Sequence, residues 1–315
     1  MGVSLGTAAV LGLRHLRTET LPTTAYLLVG NRCIMNCAFC AQARESTARA
    51  DALSRVIWPS YPTHEVLTAL ANAPVKRVCL QVPVKRGYLE RTIVLVQSIR
   101  ESTLAPICTA IHVHDLEEVQ ALLDAGAERV TLALDAACRR VYHIVRGGNW
   151  SKQLALLKSA AKNFPGHIGT HLIVGLGETE AEMLARLQEM VDWGVTVGLF
   201  AFTPLVGTAM AGREPPSLAS YRRIQAAYHL LQRGLRRLED YRFSADGRVV
   251  SFGVDSDTLQ NWLADGLAFQ TIGCPGCNRP YYNERPGHIP YNYPRPLRAD
   301  EAKEAVEIVA ASNNQ

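Results

Sequence analysis

The 315-residue sequence predicts an α/β protein built as a (β/α)8 TIM-type barrel, with an open six-stranded partial barrel as the alternative. Three observations lead there. Short β-branched runs alternate with longer amphipathic ones, and parallel strands need such helical crossovers. Hydrophobic residues make up 48% and charged residues 20%, enough for one large core. Amphipathic runs end in "DAG" and "DWG", supplying the glycine expected just past a helix C-terminus.

Taken in order, the strands are "TTAYLLV" (23–29), "RVCLQV" (77–82), "PICTAIHV" (106–113) and "RVTLALD" (129–135). Then come "HIGTHLIVG" (167–175), "VTVGLFAFT" (195–203), "YRFSA" (241–245) and "LAFQTIG" (267–273). Helical patterns such as "DLEEVQALLDAG", "SKQLALLKSAAKNF" and "TEAEMLARLQEMVDWG" separate them. The barrel therefore spans residues 23–273, after an N-terminal extension of residues 1–22. Residues 274–315 form a cap rich in Cys, Pro and Tyr, ordered by contact and ending in a short helix over 300–311.

The net charge of +4 is mild, and nothing reads as a nucleic-acid surface. The cluster "QRGLRRLEDYR" (232–242) reads first as a solvated helix face and second as a docking patch for an acidic partner. "SLGTAAVLGL" near the start lacks the basic flank of a signal peptide, and no run reaches the roughly 18 apolar residues of a membrane span. A cytoplasmic chain is expected, with its eight cysteines reduced and available to metal.

Three of them sit in "NRCIMNCAFCAQ", a C-x3-C-x2-C frame of Cys33, Cys37 and Cys40. Structural zinc needs four ligands, usually in two separated pairs, and no second pair follows nearby. Soft thiolates also suit iron–sulfur clusters. A 4Fe-4S cluster on three thiolates keeps one iron open to a substrate or cofactor. The loop follows the first strand, so it sits at the barrel mouth.

With Phe39 before the last cysteine, this frame resembles the signature of radical S-adenosylmethionine (SAM) enzymes. The resemblance implies that the open iron chelates the methionyl amine and carboxylate of SAM. It further implies that one electron cleaves SAM to a 5′-deoxyadenosyl radical, which abstracts hydrogen from an unactivated C–H bond. "RVCLQV", "PICTAIH", "LALD", "LIVGLGET" and "YRFSADG" also resemble segments of biotin synthase, in order, over most of residues 20–275. By that match Asp135 binds the SAM ribose, and Gly175, Gly177 and Glu178 shape the adenine and ribose wall. Phe202, Thr203 and Pro204 offer backbone contacts to adenine, and Arg146 and Lys152 are partners for the SAM carboxylate.

The same match gives Cys79 and Cys108 to an auxiliary, sulfur-donating cluster, with Arg242 as its arginine ligand. Its third cysteine is replaced by Gly169 here, which sets the chain apart from biotin synthase. His171, two residues on, shares a face with that position. Cys274 and Cys277 in "GCPGCN" are the expected replacement, and Cys138 is read as incidental. "LDAACRRVYHIVRGG", "LFAFTPLVGT" and the tail resemble the biotin-synthase-related subunit of two-protein lipoyl synthases. That resemblance implies sulfur insertion into a protein-bound octanoyl chain. It also implies an octanoylated lipoyl-carrier protein, a second radical SAM subunit and an electron donor such as flavodoxin or ferredoxin. The alternatives are a biotin-synthase-like sulfurtransferase acting on a free small molecule and a non-catalytic iron–sulfur protein.

Overall fold

A computed structural model describes residues 1–284 and 287–313. Its main sheet begins with the short edge strand β1 (Gly2–Val3), antiparallel to β2 (Thr24–Leu28). A small hairpin, β3 (Ala52–Leu53) and β4 (Val56–Ile57), lies apart. The parallel strands continue with β5 (Arg77–Gln81), β6 (Ile107–Ala110), β7 (Arg129–Thr131), β8 (Ile168–Val174) and β9 (Thr196–Ala201). Sheet order is β1-β2-β5-β6-β7-β8-β9, and every pair from β2 to β9 is parallel. Six parallel strands thus form an open, curled half-barrel. The α/β reading holds, and the open alternative is the closure this chain adopts.

The expected seventh and eighth strands leave the sheet. "YRFSADG" folds on itself: Gly247, at a φ of 79°, lets the chain turn, and β10 (Arg242–Phe243) pairs antiparallel with β11 (Val249–Ser251). Gly266 and the Asp265 carboxylate, which accepts from the Leu267 amide, wind Leu267–Phe269 into a 3-10 turn. Residues 1–22 are not a separate extension, since they supply β1 and the helix Leu5–Val10 and bury Val3 and Ala8.

The gap between β9 and β2 is filled by residues 271–284. The Leu199 amide donates to the Ile272 carbonyl at 3.3 Å, and Arg279 Nη2 donates to the Leu199 carbonyl at 3.2 Å. On the other flank Asn278 accepts from the Thr23 amide at 2.9 Å and donates to the Leu21 carbonyl at 3.0 Å. Arg77 Nε reaches the Pro275 carbonyl at 3.2 Å at the strand base, and Asn283 Nδ2 reaches the Ala201 carbonyl at 2.6 Å at the mouth. The tail therefore runs up the open flank of the sheet and reaches its mouth, where Arg55 donates to the Tyr281 carbonyl at 3.0 Å. The expected final helix spans Ala299–Ala310 and buries Ala305, Val306 and Val309.

Candidate functional site: two thiol sets in one cavity

A cavity of about 270 Å³ runs through the half-barrel, with Cys33, Cys37 and Cys40 at its mouth and Cys79, Cys108, Cys274 and Cys277 at its base. Alternation along each strand makes this possible. Tyr26, Cys79 and Cys108 stand level with one another, and Leu28, Gln81, Ala110 and Thr131 stand one layer higher on the same inward face.

The mouth loop has no regular structure, so its shape comes from side chains. Gln42, 1% exposed, donates to the Ala50 and Ala52 carbonyls and accepts from the Arg32 amide. Its carbonyl takes the Cys33 amide at 2.7 Å, and the Ala38 amide ties the loop to the Val145 carbonyl at 2.6 Å. Cys33 Sγ accepts from the Val84 amide at 3.2 Å, and Cys40 Sγ from the Gln42 amide at 3.4 Å. Burial pushes the Cys37 thiol up to about 12, against the pull of Arg146, and Cys40 up to about 11. Thiols this high hold their protons until a metal displaces them. Phe39 lines the cavity and packs on the core. Among the described residues no three His, Cys, Asp or Glu side chains meet the spacing of a single-ion site.

Asp135 sits beside this loop in the left-handed region, at a φ of 63°. Its amide donates to the His171 carbonyl and its carbonyl accepts from the Ile173 amide, both at 2.8 Å, so β8 holds it there. Its carboxylate pairs with Arg146, each side chain 8% exposed, and burial raises the carboxyl pKa while the guanidinium opposes that rise. Both residues line the cavity. If Asp135 holds the ribose hydroxyls, Asp135→Asn should weaken SAM binding about tenfold, since hydrogen bonds to charged groups are worth roughly 1.5–3 kcal/mol. Equilibrium binding to the cluster-loaded protein checks this; unchanged affinity removes the residue from the site.

Other expected residues are placed less directly. The Glu178 carboxylate accepts from the Gly175 and Leu176 amides at 2.7 and 3.1 Å, so it braces the turn after β8. Gly175, at a φ of 97°, packs so closely on Pro216 that a Cβ would come within 2.7 Å. Gly177 shares this turn at a φ of 119°. Phe202 and Thr203 face the cavity, whereas Pro204 lines a neighbouring groove. Lys152 is exposed in the helix Trp150–Asn163, outside the cavity lining, which leaves Arg146 as the cation next to the loop.

At the base, Cys79 and Cys108 pair across β5 and β6. The tail brings Cys274 Sγ within 3.4 Å of Cys108 Sγ, and Cys277 Sγ within 3.1 Å of the Tyr26 hydroxyl. Arg77 Nη1 lies 2.9 Å from Cys108 Sγ. The hydrogen bond from Cys108 draws the Cys274 thiol down to about 6, aided by Arg129 and Arg77 against burial. Arg129 Nε and Nη1 are buried and unpartnered, while its Nη2 donates to the Gly166 carbonyl at 3.0 Å and pairs with Glu128.

Gly169 now has a physical reason. A Cβ there would meet Thr131 Oγ1 at 2.9 Å and the Thr196 carbonyl oxygen at 3.2 Å, so a third barrel thiol would require both neighbours to shift. His171 faces the cavity with its ring edge-on to Phe200, 5.1 Å between centroids, and burial, Arg279 and Arg146 keep it neutral, near 3. Arg242 is not a ligand: it is exposed on the β10–β11 hairpin, away from the cavity. Cys138 stands outside both sets, before the helix Arg139–Val145. Arg77, Arg129, Arg279 and His112 went unread in the sequence. The signal was there for two of them, since "RVC" and "RVT" each open an apolar strand with a guanidinium.

The "QRGLRRLEDYR" cluster is mostly engaged within the chain. Arg236 stacks on Trp262 and donates to the Phe252 carbonyl, and Arg237 pairs with Asp192. Among the described residues no helix is long and apolar enough to cross a membrane.

An open half-barrel with a three-thiol loop after its first parallel strand defines an iron–sulfur class of α/β protein. Residues 27–214 match the model of the Radical SAM superfamily, and the chain belongs to that superfamily. A biotin synthase of Persephonella marina is 24% identical over 190 residues, 58% of this chain and 54% of that one. A lipoyl synthase of Chlorobium chlorochromatii is 25% identical over 205 residues, 62% and 67% of the two chains. A biotin synthase of Citrifermentans bemidjiense is 26% identical over 273 residues, 77% and 80%. The match thus spans about half the length of the first of these relatives. The hydrogenase maturase HydG of Carboxydothermus hydrogenoformans shares the fold with a TM-score of 0.55 at 19% identity, covering 67% of this chain and 51% of that one. Methylornithine synthase (PylB) does so at 0.53 and 16%, covering 73% and 66%.

Membership brings a 4Fe-4S cluster and SAM, and the residues fit both. Three thiols of one short loop line the cavity, and His112 and Arg146, which line it too, have Nδ1 and Nε buried without partners. When bound, the pair supplies the one-electron chemistry that activates a C–H bond.

Proposed function

We propose that this enzyme inserts sulfur into an unactivated C–H bond of a protein-bound octanoyl chain, as one component of a two-subunit lipoyl synthase. The observation that carries the reading is the placement of two cysteine sets at opposite ends of one cavity. Cys33, Cys37 and Cys40 hold the SAM cluster; Cys79, Cys108, Cys274 and Cys277 hold a second, sulfur-donating cluster. Between them the walls include Leu28, Val82, Ala110, Ile111, Ala133 and Ile173, an apolar stretch suited to an unbranched chain, with Gln81, Thr131 and Thr170 as the polar members. Such walls exclude water from the reacting carbon. Arg77, Arg129 and Arg279, with Glu128 paired to the first two, leave a net positive charge to balance what thiolates and sulfides bring to the base. The octanoylated carrier, the second radical SAM subunit and a flavodoxin- or ferredoxin-type electron donor are the partners this reading requires.

A biotin-synthase-like activity on a free small molecule is the second reading, favoured by the relatives of that name. The reconstituted protein should be given SAM, a reductant and either the octanoylated lipoyl-carrier protein or dethiobiotin, without oxygen. Mass spectrometry should find thiolated octanoyl chain. Thiolation of dethiobiotin with none on the carrier would overturn the assignment.

A further inference from the structure

Several buried side-chain polar atoms of the described residues lack a partner, and only two of these, Arg146 Nε and His112 Nδ1, belong to side chains lining the cavity. An unmet buried polar atom costs roughly 1–3 kcal/mol, so two of them on side chains lining one cavity mark a place where a polar ligand completes the shell. Arg146 already has a role. His112 has none.

His112 is built in firmly. The Tyr88 hydroxyl donates to its carbonyl at 2.8 Å, and the His114 ring packs edge-on against its own, 5.0 Å between centroids. It stands just past β6, with Asp135 beyond β7 on the neighbouring strand path. Burial leads, and Arg146, His114 and Lys152 add to it, in keeping the imidazole neutral, near 4. A neutral ring presents one fixed donor and one fixed acceptor, the form that suits a zwitterion.

We infer that His112 Nδ1 hydrogen-bonds the amino-acid end of SAM, beside the carboxylate partner Arg146. The inference concerns the cofactor alone and stands whichever substrate the enzyme takes.

Substitutions separate the two ring nitrogens. Asparagine places its amide as many bonds from the backbone as Nδ1, and glutamine places it one bond further, near Nε2. In the cluster-loaded protein, His112→Ala and His112→Gln should raise the SAM dissociation constant about tenfold, the loss of one such bond. His112→Asn should stay close to the parent. The change that SAM produces in the electron paramagnetic resonance of the reduced cluster should weaken in the same order, at equal iron content and melting temperature. SAM affinity unchanged in all three, or equally weakened in asparagine and glutamine, overturns the assignment. So does a variant that alters only the Michaelis constant for the sulfur-accepting substrate.

Discussion

Replacing Cys37 with alanine is expected to abolish SAM cleavage and leave the fold intact, and Cys33→Ala and Cys40→Ala should do the same. A 4Fe-4S cluster on two thiolates loses a fixed iron, and two carboxylates expected at this site are already engaged: Asp135 with Arg146, and Glu178 with two backbone amides. The loop itself survives the change. Its shape is held by Gln42, by the Cys33 amide and by the bond between Ala38 and Val145, none of which uses a sulfur atom. Liquid chromatography should find no 5′-deoxyadenosine, and circular dichroism should find an unchanged melting temperature. Continued 5′-deoxyadenosine formation in any of the three variants would remove these cysteines from the cofactor site.

The Cys274→Ala/Cys277→Ala double variant should behave in the opposite sense: SAM still cleaved, no sulfur transferred. The base would keep Cys79 and Cys108 but lose both thiols that the tail delivers. Alanine removes the 3.4 Å contact between Cys274 and Cys108 and the contact of Cys277 with Tyr26. The tail should still dock, because Asn278, Arg279 and Asn283 anchor it independently of sulfur. Iron and sulfide analysis should show the loss of one cluster, and mass spectrometry the absence of thiolated product. Full iron content together with sulfur transfer would make the tail cysteines bystanders and withdraw the main support for the sulfur-insertion reading.

The sequence made the first six strands legible because each is a short β-branched run set off by an amphipathic helix. The mouth loop was legible for a different reason, since its three sulfurs lie within eight residues and need no tertiary information. Strands seven and eight misled because "YRFSA" and "LAFQTIG" carry strand composition, while the deciding residues, Gly247 and Gly266, lie beside them. Arg242 failed with its strand. The base of the cavity was harder still. That Cys274 and Cys277 join Cys79 and Cys108 could be guessed from ligand grammar, but their approach from the flank depended on hydrogen bonds from Asn278 and Arg77. His112 was invisible, because an imidazole in an apolar strand reads as filler until its unpaired nitrogen is seen.

The flank-closing tail also sets an order of assembly. The mouth site is written in one short stretch near the start of the chain, so its sulfurs come together at little loop-closure cost. The base site joins Cys108 to Cys274 across 166 residues, and the strut beside it joins Thr23 to Asn278 across 255. Contacts of such long range form late in folding. During synthesis the sheet can exist with its first three sulfurs in place while the last two are still inside the ribosome. The two thiol sets of one cavity therefore come together at different times, the second only after Cys274 and Cys277 have left the ribosome.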